Sequence, residues 1–153
     1  MNTLIVVASK YLFLVAILIS AAVFLGENKQ RRITILKLAL LTLPIAFIVA
    51  KISSLLIYDP RPFVVQHTMP LIAHVADNGF PSDHTLLTTA LAAVLLNFNR
   101  KAGIVLFIIA LVVGGARVLA GVHHPLDIIG SVGIAFFAMF ISKYFFLLIK
   151  AGK

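Results

Sequence analysis

Long apolar runs recur along almost the whole chain, and they constrain the fold more than any other feature. Five runs lie at about residues 4–25, 33–58, 82–98, 102–122 and 125–149. A helix of about 20 apolar residues spans the roughly 30 Å hydrocarbon core of a bilayer, and the third run, at roughly 25 Å, is slightly short. Hydrophobic residues form 61% of the chain, far more than in a soluble domain. The sequence predicts an all-α transmembrane bundle of about five spans, in one integral membrane domain over residues 1–153.

The first run has a second possible interpretation, as a cleaved signal peptide with Lys10 in its charged region and small residues at 20–22. A basic segment follows directly, with Lys29, Arg31 and Arg32. Cleavage would leave these residues outside the cell, against the positive-inside rule. We therefore predict that the first run is a membrane span.

The net charge of +8 indicates membrane orientation rather than nucleic-acid binding. The basic residues are concentrated after the first run, after the third run and at the C-terminus, where cytoplasmic loops carry them. This predicts the N-terminus outside and the C-terminus inside. The chain has no cysteine, which excludes disulfides and thiolate metal sites.

With this orientation, the unusual polar residues meet at one face, at the ends of the second to fifth predicted helices and in the proline-rich loop 59–81. They are Lys51, Asp59, Arg61, Ser82, Asp83, His84, Arg117, His123 and Asp127. An ionisable group inside an apolar segment is costly unless it lines a functional cavity. We therefore predict that Lys51 and Arg117 have a negatively charged partner inside the bundle, and a single bound anion could pair with both.

Two segments are typical of helix starts. In Pro81-Ser82-Asp83-His84, Ser82 is the expected N-cap, and the free N–H groups of the first turn favour an anion such as phosphate. An ordinary capped helix is the alternative for this segment taken alone.

The second helix start is His123-His124-Pro125-Leu126-Asp127, with Pro125 at the first helical position. An acid at the third helical position turns back toward the residues before the helix, so Asp127 can reach His123. A carboxylate on one imidazole nitrogen leaves a lone pair on the other, as a nucleophilic or basic histidine requires. An inert capped turn remains an alternative.

A metal site is a further alternative for this helix start. Its ligands would be His123, His124 and Asp127, joined by His67 or His74 from the long loop. On their own, these two loop histidines are expected to be solvated or hydrogen-bonded rather than catalytic.

Two arginines suit bidentate phosphate recognition. Arg61 is held between two prolines, and Arg117 lies in an apolar helix six residues before His123.

Taken together, three segments in order resemble the signature of the type 2 phosphatidic acid phosphatase superfamily, which is Lys-x6-Arg-Pro, then Pro-Ser-Gly-His, then Ser-Arg-x5-His-x3-Asp. The matching residues are Arg61-Pro62, Pro81-Ser82-Asp83-His84, and Arg117 followed by His123 and Asp127. The segments 60–63 and 78–84, and His74 ahead of Asp77, are similar to the bacterial undecaprenyl-diphosphate phosphatase branch, in which the aspartate at position 83 is typical.

The resemblance implies a phosphohistidine mechanism that needs no metal or other cofactor. His123 would attack phosphorus, Asp127 would orient it, and His84 would protonate the leaving oxygen. The expected phosphate-binding residues are Arg61, Arg117, Ser82, Lys51 and Asp83. The implied partners are a lipid-phosphate substrate and the surrounding lipids of a bacterial inner membrane, with the site on the extracytoplasmic side; the oligomeric state stays open.

Three features depart from the family pattern. The family lysine would fall at Ser54, whereas Lys51 lies one helical turn earlier on a similar face. Position 116 is alanine rather than serine, which removes one possible phosphate hydrogen bond. The family usually has six spans, and this sequence predicts five, so one span near the N-terminus has no counterpart.

The leading hypothesis is hydrolysis of undecaprenyl diphosphate. Phosphatidylglycerophosphate, phosphatidate and lipid A phosphatases are alternatives in the same class, because few residues outside the membrane are available to recognise a headgroup. A protein that binds or translocates a lipid phosphate without hydrolysis, and a metal transporter, are alternatives of other classes. The first would need no oriented nucleophile, and the second would need a complete set of metal ligands.

Overall fold

A computed structural model describes residues 2–151, with side chains described as far as residue 148. The described part of the chain is helical and contains no strand, apart from an isolated bridge between Pro60 and Asn78. Its helices are α1 (Asn2–Gly26), α2 (Lys29–Leu56), α3 (Pro62–Val65), α4 (Asp83–Leu95), α5 (Arg100–Leu119) and α6 (Pro125–Ala151). The five predicted helices are present, and α3 is a single additional turn inside the predicted loop.

Four of these helices, α1, α2, α5 and α6, are long and apolar enough to cross a membrane. The fifth apolar helix, α4, has 13 residues, or about 20 Å at 1.5 Å per residue. It is shorter than the predicted run of 82–98 and does not match a full hydrocarbon core by itself.

The start of α2 differs from the prediction. The helix begins at Lys29 rather than near residue 33, because the side chain of Asn28 caps it by accepting from the N–H of Arg31 at 3.0 Å. The basic residues 29–32, predicted in a loop, therefore lie in the first helical turn. Arg31 pairs there with Glu27 at 3.2 Å, and the connection between the first two helices is only two residues long.

The end of α5 also differs from the prediction, at Leu119 instead of residue 122. Gly121 adopts a left-handed conformation with φ of 76°, which glycine accepts without steric cost. Its N–H bonds to the carbonyl of Val118 at 2.9 Å, and the N–H of Val122 bonds to that of Arg117 at 3.2 Å, which is a Schellman motif. This turn directs the chain away from the α5 axis and brings His123 to the start of α6.

Helix α4 lies at the centre of the bundle and contacts α1, α2, α5 and α6. Small residues line its packing surfaces, among them Ala46, Ala50, Ala90, Ala135 and Ala138. Small side chains let helix backbones approach closely in a membrane bundle. Large apolar residues on the outer faces of the long helices, such as Leu55 and Phe140, are exposed, as expected of surfaces that face lipid.

Candidate active site

One end of the bundle holds a polar cavity of about 270 Å³, where α2 and α5 end and α4 and α6 begin. The structure thus brings together the helix ends that the sequence predicted to converge. The polar side chains that line the cavity are Lys51, Ser54, Arg61, His74, Asp77, Asn78, Asp83, His84, Arg117 and His123.

His123 and Asp127 form a buried pair at the start of α6. Nδ1 of His123 lies 3.0 Å from Oδ2 of Asp127, and the backbone N–H of His124 donates to the same oxygen at 2.9 Å. The side chain of Asp127 is 0% exposed. The acid at the third helical position therefore turns back onto the residues before the helix, in the geometry that its spacing predicts.

Arg61 fixes the tautomer of this histidine. Its Nη1 donates to the carbonyl of Val122 at 2.8 Å and lies 3.3 Å from Nε2 of His123. A guanidinium has only donors, so Nε2 presents its lone pair to Arg61 and the ring proton lies on Nδ1, toward Asp127. The hydrogen-bond network therefore assigns the unprotonated nitrogen of the ring to the side that faces the cavity and Arg61.

The position of Arg61 is itself held by an acid. Nε of Arg61 donates to Oδ1 of Asp77 at 2.7 Å, and the arginine side chain is only 6% exposed. Burial acts to raise the pKa of Asp77, but the hydrogen bond and the charge of Arg61 hold that pKa below its usual value. Asp77 therefore stays ionised and keeps the guanidinium in place.

The surroundings of His123 favour its neutral form. Burial lowers the pKa of His123, and the positive charges of Arg117 and Arg61 lower it further, while Asp127 acts in the opposite direction. The net direction is downward from the ordinary value of 6.5. The imidazole is therefore neutral near pH 7, as a nucleophile must be.

Arg117 lies in the last turn of α5 and is 3% exposed. Its Nη1 donates to the carbonyl of Ser9 in α1 at 3.3 Å, and its Nη2 lies 3.0 Å from Nε2 of His74. Burial lowers the pKa of His74, and the charges of Arg61 and Arg117 add to this effect. His74 is thus a neutral acceptor inside the cavity, a position that its place in the loop did not reveal.

The start of α4 differs in one respect from the prediction. Ser82 occupies the N-cap position, but its side chain makes no capping hydrogen bond. Its hydroxyl is fully buried and accepts from that of Thr85 at 3.1 Å. The two residues that follow, Asp83 and His84, do line the cavity, and the ring of His84 packs edge-on against Phe13 of α1 at 4.6 Å between centroids.

Lys51 reaches the cavity from α2, one turn before Ser54, which also lines it. The lysine side chain is exposed, and its Nζ lies 5.5 Å from the centre of the Phe47 ring. The shifted lysine of the sequence pattern therefore lies at the cavity mouth, beside an aromatic side chain.

Sequence reasoning missed the residues that shape the loop, above all Asn78. Its Oδ1 accepts from the N–H groups of Asp59 and Phe80, both at 3.0 Å, and its Nδ2 donates to two carbonyls at the end of α2, both at 2.8 Å. The dipeptide Asn78-Gly79 is a general turn signal, but it does not indicate which groups the amide will bind.

The predicted alternative of a metal site finds no complete ligand set in the described residues. No group of three or more His, Cys, Asp or Glu side chains there is arranged to hold a metal ion. The ring of His124 turns to the carbonyl of Pro60 at 3.2 Å instead of joining His123 and Asp127.

A helical membrane bundle whose polar end holds a carboxylate-oriented histidine and two buried arginines defines a class of membrane protein with a site for an anionic headgroup. The chain belongs to the PAP2 superfamily, whose sequence profile matches residues 13–150. The resemblance inferred from the three motifs is therefore confirmed. The chain is a multi-pass membrane protein of this family.

Named relatives and solved structures agree with this assignment. The chain is 33% identical over 135 residues to undecaprenyl-diphosphatase BcrC of Bacillus subtilis, an alignment covering 88% of this chain and 69% of that protein. It is 31% identical over 132 residues to the putative undecaprenyl-diphosphatase YbjG of Escherichia coli, covering 86% and 66%. A PAP2-type phosphatidylglycerolphosphate phosphatase from Bacillus subtilis superimposes with a TM-score of 0.65 at 22% identity, over 97% of this chain and 77% of that one. This last likeness confirms the all-α membrane fold.

Proposed function

We propose that this protein is a membrane lipid-phosphate hydrolase that converts undecaprenyl diphosphate to undecaprenyl phosphate. The observation that carries the proposal is the His123–Asp127 pair, because the carboxylate holds the Nδ1 proton and leaves the Nε2 lone pair in the cavity beside Arg61. A protein that only bound or translocated a lipid phosphate would need cations but no oriented nucleophile. The pair therefore favours hydrolysis.

In the proposed first step, Nε2 of His123 attacks the terminal phosphorus. A P–N bond forms while the P–O bond to the remaining lipid phosphate breaks, and the imidazolium form of His84 donates a proton to the departing oxygen and becomes neutral. The Asp127 side chain, bonded to Nδ1, stabilises the imidazolium of the phosphohistidine. In the second step His84 takes a proton from water, the water oxygen attacks phosphorus, and inorganic phosphate leaves His123.

The cations provide the electrostatic part of this mechanism. Phosphoryl transfer depends on neutralising charge on the equatorial oxygens, a role we assign to Arg61 and Arg117. We assign Lys51, which lines the same cavity, to the phosphate that stays on the lipid. The predicted phosphate-binding residues also include Asp83, whose side chain lines the cavity, and Ser82. The hydroxyl of Ser82 is buried and bonded to Thr85, so we propose that Ser82 contributes by shaping the start of α4.

An apolar groove beside the cavity supports a lipid substrate. The groove holds about 440 Å³ between α2 and α4 and shares Phe47 and Asp83 with the polar cavity. The other residues that line it are Leu43, Ala46, Leu86, Leu87 and Ala90. A polar cavity joined to an apolar groove fits an amphiphile that has its phosphates in the cavity and the first part of its hydrocarbon chain in the groove.

The relatives support the choice of substrate. One is an undecaprenyl-diphosphatase and another a putative undecaprenyl-diphosphatase, whereas one structural neighbour is a phosphatidylglycerolphosphate phosphatase. Phosphatidylglycerophosphate is therefore the second candidate substrate for the same chemistry.

The proposed location is a bacterial inner membrane, with the cavity on the extracytoplasmic side. The basic residues support this orientation. Lys29, Arg31, Arg32, Arg100 and Lys101 lie at the start of α2 and the start of α5, opposite the cavity. Basic residues at one set of helix ends indicate the cytoplasmic side.

Phosphate release from a panel of lipids tests the proposed function. Purified, detergent-solubilised protein is incubated with undecaprenyl diphosphate, phosphatidylglycerophosphate, phosphatidate and lipid A, with His123→Ala as the matched control. We expect the highest kcat/KM on undecaprenyl diphosphate and no release by the variant. If the folded wild-type protein released phosphate from none of the four lipids, the proposal would be contradicted. If kcat/KM were highest on another of the lipids, that lipid would replace undecaprenyl diphosphate as the proposed substrate.

The mechanism assigns the neutralisation of phosphate charge to side chains, so a chelator in the same assay should leave the rate unchanged. Loss of activity with a chelator, restored by one divalent metal alone, would instead support the metal alternative.

A further inference from the structure

The carboxylate of Asp127 is satisfied on one side only. Oδ2 accepts two hydrogen bonds, from Nδ1 of His123 and from the N–H of His124. Oδ1 is completely buried and has no hydrogen-bond donor among the described residues. A buried carboxylate oxygen without a donor is costly, so a group that supplies a proton to Oδ1 would stabilise the pair on which the proposed mechanism depends.

Asp59 is the side chain placed to supply that proton. Its carboxyl lies within hydrogen-bonding reach of the Asp127 carboxyl and is 23% exposed. The backbone on either side holds it there, because its N–H donates to Oδ1 of Asn78 at 3.0 Å and its carbonyl accepts from the N–H of Gly79 at 2.8 Å. Burial and the nearby Asp127 favour the protonated form of Asp59, and a protonated carboxyl can donate a hydrogen bond to a carboxylate oxygen.

We propose that Asp59 is a positioning residue, which donates a shared proton to Oδ1 of Asp127. This contact holds the carboxylate in the position from which Oδ2 bonds to Nδ1 of His123. The inference rests on the proposed function, since it concerns the orientation of the proposed nucleophile. Asp59 lies outside the three family motifs and does not line the cavity, so it acts through Asp127 rather than on the substrate.

The charged and titratable groups around Asp59 set the direction of its titration. Burial and the neighbouring Asp127 raise the pKa of Asp59, while His124 and His123 act to lower it, and the net direction is upward. Nε2 of His124 is the near group, 3.7 Å from Oδ1 of Asp59. As the pH rises through this raised pKa, the shared proton is lost and the two carboxylates repel each other.

Two substitutions at position 59 distinguish the loss of the hydrogen-bond donor from the loss of the titratable group. Asp59→Asn keeps a donor for Oδ1 of Asp127 but cannot titrate, whereas Asp59→Ala removes the donor. We expect Asp59→Ala to lose about 10-fold in kcat, with KM within about two-fold of wild type, and Asp59→Asn to keep most of the rate. Glu27→Gln, at the opposite end of the bundle, is the control and should behave as wild type.

The pH profile gives the second readout. In wild type, kcat should decline as Asp59 loses its proton, and Asp59→Asn should lack this part of the decline. Any decline due to His84 is common to both proteins and cancels in the comparison. The inference is overturned if Asp59→Ala matches wild type, if Asp59→Asn is as impaired as Asp59→Ala, or if the Asn variant keeps the wild-type profile.

If Asp59→Ala does not fold, the Asn variant decides by itself, through its rate and its profile. A wild-type protein that releases no phosphate from any lipid would count against the proposed function. An active wild type that is insensitive to both Asp59 variants would count against this inference alone.

Discussion

The starts of α4 and α6 contain the same kinds of residue, an aspartate and a histidine within three residues of a proline, yet the structure gives them different surroundings. At α6, Asp127 is fully buried and bonded to His123. At α4, Asp83 is exposed and lines the cavity, and His84 has no carboxylate partner among the described residues. Burial, rather than residue type, distinguishes a carboxylate that orients a histidine from one that does not.

The difference comes from what covers each helix start. Gly79 and Arg61 lie over the start of α6, and a Cβ at Gly79 would lie only 3.0 Å from Oδ2 of Asp127. The start of α4 opens to the cavity and to the apolar groove, which share Asp83. A local pattern therefore predicts where a helix begins, and the packing of the distant loop decides what its first turn does.

The largest expected effect separates the two histidines. His123→Ala removes the attacking nitrogen and should reduce kcat by about 10⁴-fold or more, while His84→Ala should cost about 10²–10⁴-fold because it removes only proton transfer. Acid-labile, base-stable phosphate should be trapped on wild type and absent from His123→Ala. Trapping that is equal on the two proteins would contradict the assignment of the nucleophile.

An activated aryl phosphate provides the matching control, because its leaving group needs little protonation. With this substrate His84→Ala should recover part of the lost rate and His123→Ala should recover none. A similar recovery by both variants would remove the distinction between the two helix starts.

A second, smaller contrast separates the two aspartates. Asp127→Asn should reduce kcat by about 10²–10⁴-fold, because the amide no longer holds the Nδ1 proton of His123. Asp83→Asn, at the first position of α4, should change kcat by less than about 10-fold, since Asp83, unlike Asp127, makes no hydrogen bond to His123. Steady-state kinetics on undecaprenyl diphosphate measures both, and equal losses would show that burial does not separate the two residues.

The titration of His123 tests the same contrast without turnover. Burial and the charges of Arg117 and Arg61 lower the pKa of His123 from 6.5, so its imidazole should gain a proton only below pH 6.5 as the solution is acidified. Nitrogen-15 NMR of labelled protein follows the imidazole signal, and His123→Gln identifies it by its loss. A midpoint at or above 6.5 would mean that the carboxylate outweighs burial and the two arginines.

The variants with the smallest expected effect on activity are two cysteine substitutions for mapping membrane topology. They test whether the starts of α4 and α6 face the outside of the cell. The chain has no cysteine, so Gln30→Cys and Thr68→Cys each provide a single reactive thiol, and neither should change the rate. An impermeant thiol reagent should label position 68 from outside and position 30 only after permeabilisation. Labelling of position 30 in intact cells would reverse the proposed orientation.

The sequence predicted the helices well because hydropathy is a local property. The errors are at helix ends, where the cap at Asn28 and the left-handed Gly121 set the boundaries a few residues from the ends of the apolar runs. Those signals were present in the sequence but weaker than the hydrophobic periodicity.

The loop around the site was less predictable, because its conformation depends on contacts between distant residues. Asp77 reaches Arg61 across 16 positions, and His74 reaches Arg117 across 43. The motif residues could be named in advance because each lies at a helix end, where local rules apply. Residues such as Asn78, whose partners lie in other elements, required the folded structure.

The contact between Phe80 and Gly130 has a mechanical consequence. The ring of Phe80 occupies the place where a side chain at position 130 would begin, so any Cβ there would overlap the ring. The loop that carries Asp77 and Asn78 is thereby fitted onto the second turn of α6, and the two should move as one rigid body. Any opening that admits a substrate or releases a product is then expected outside this unit, rather than within it.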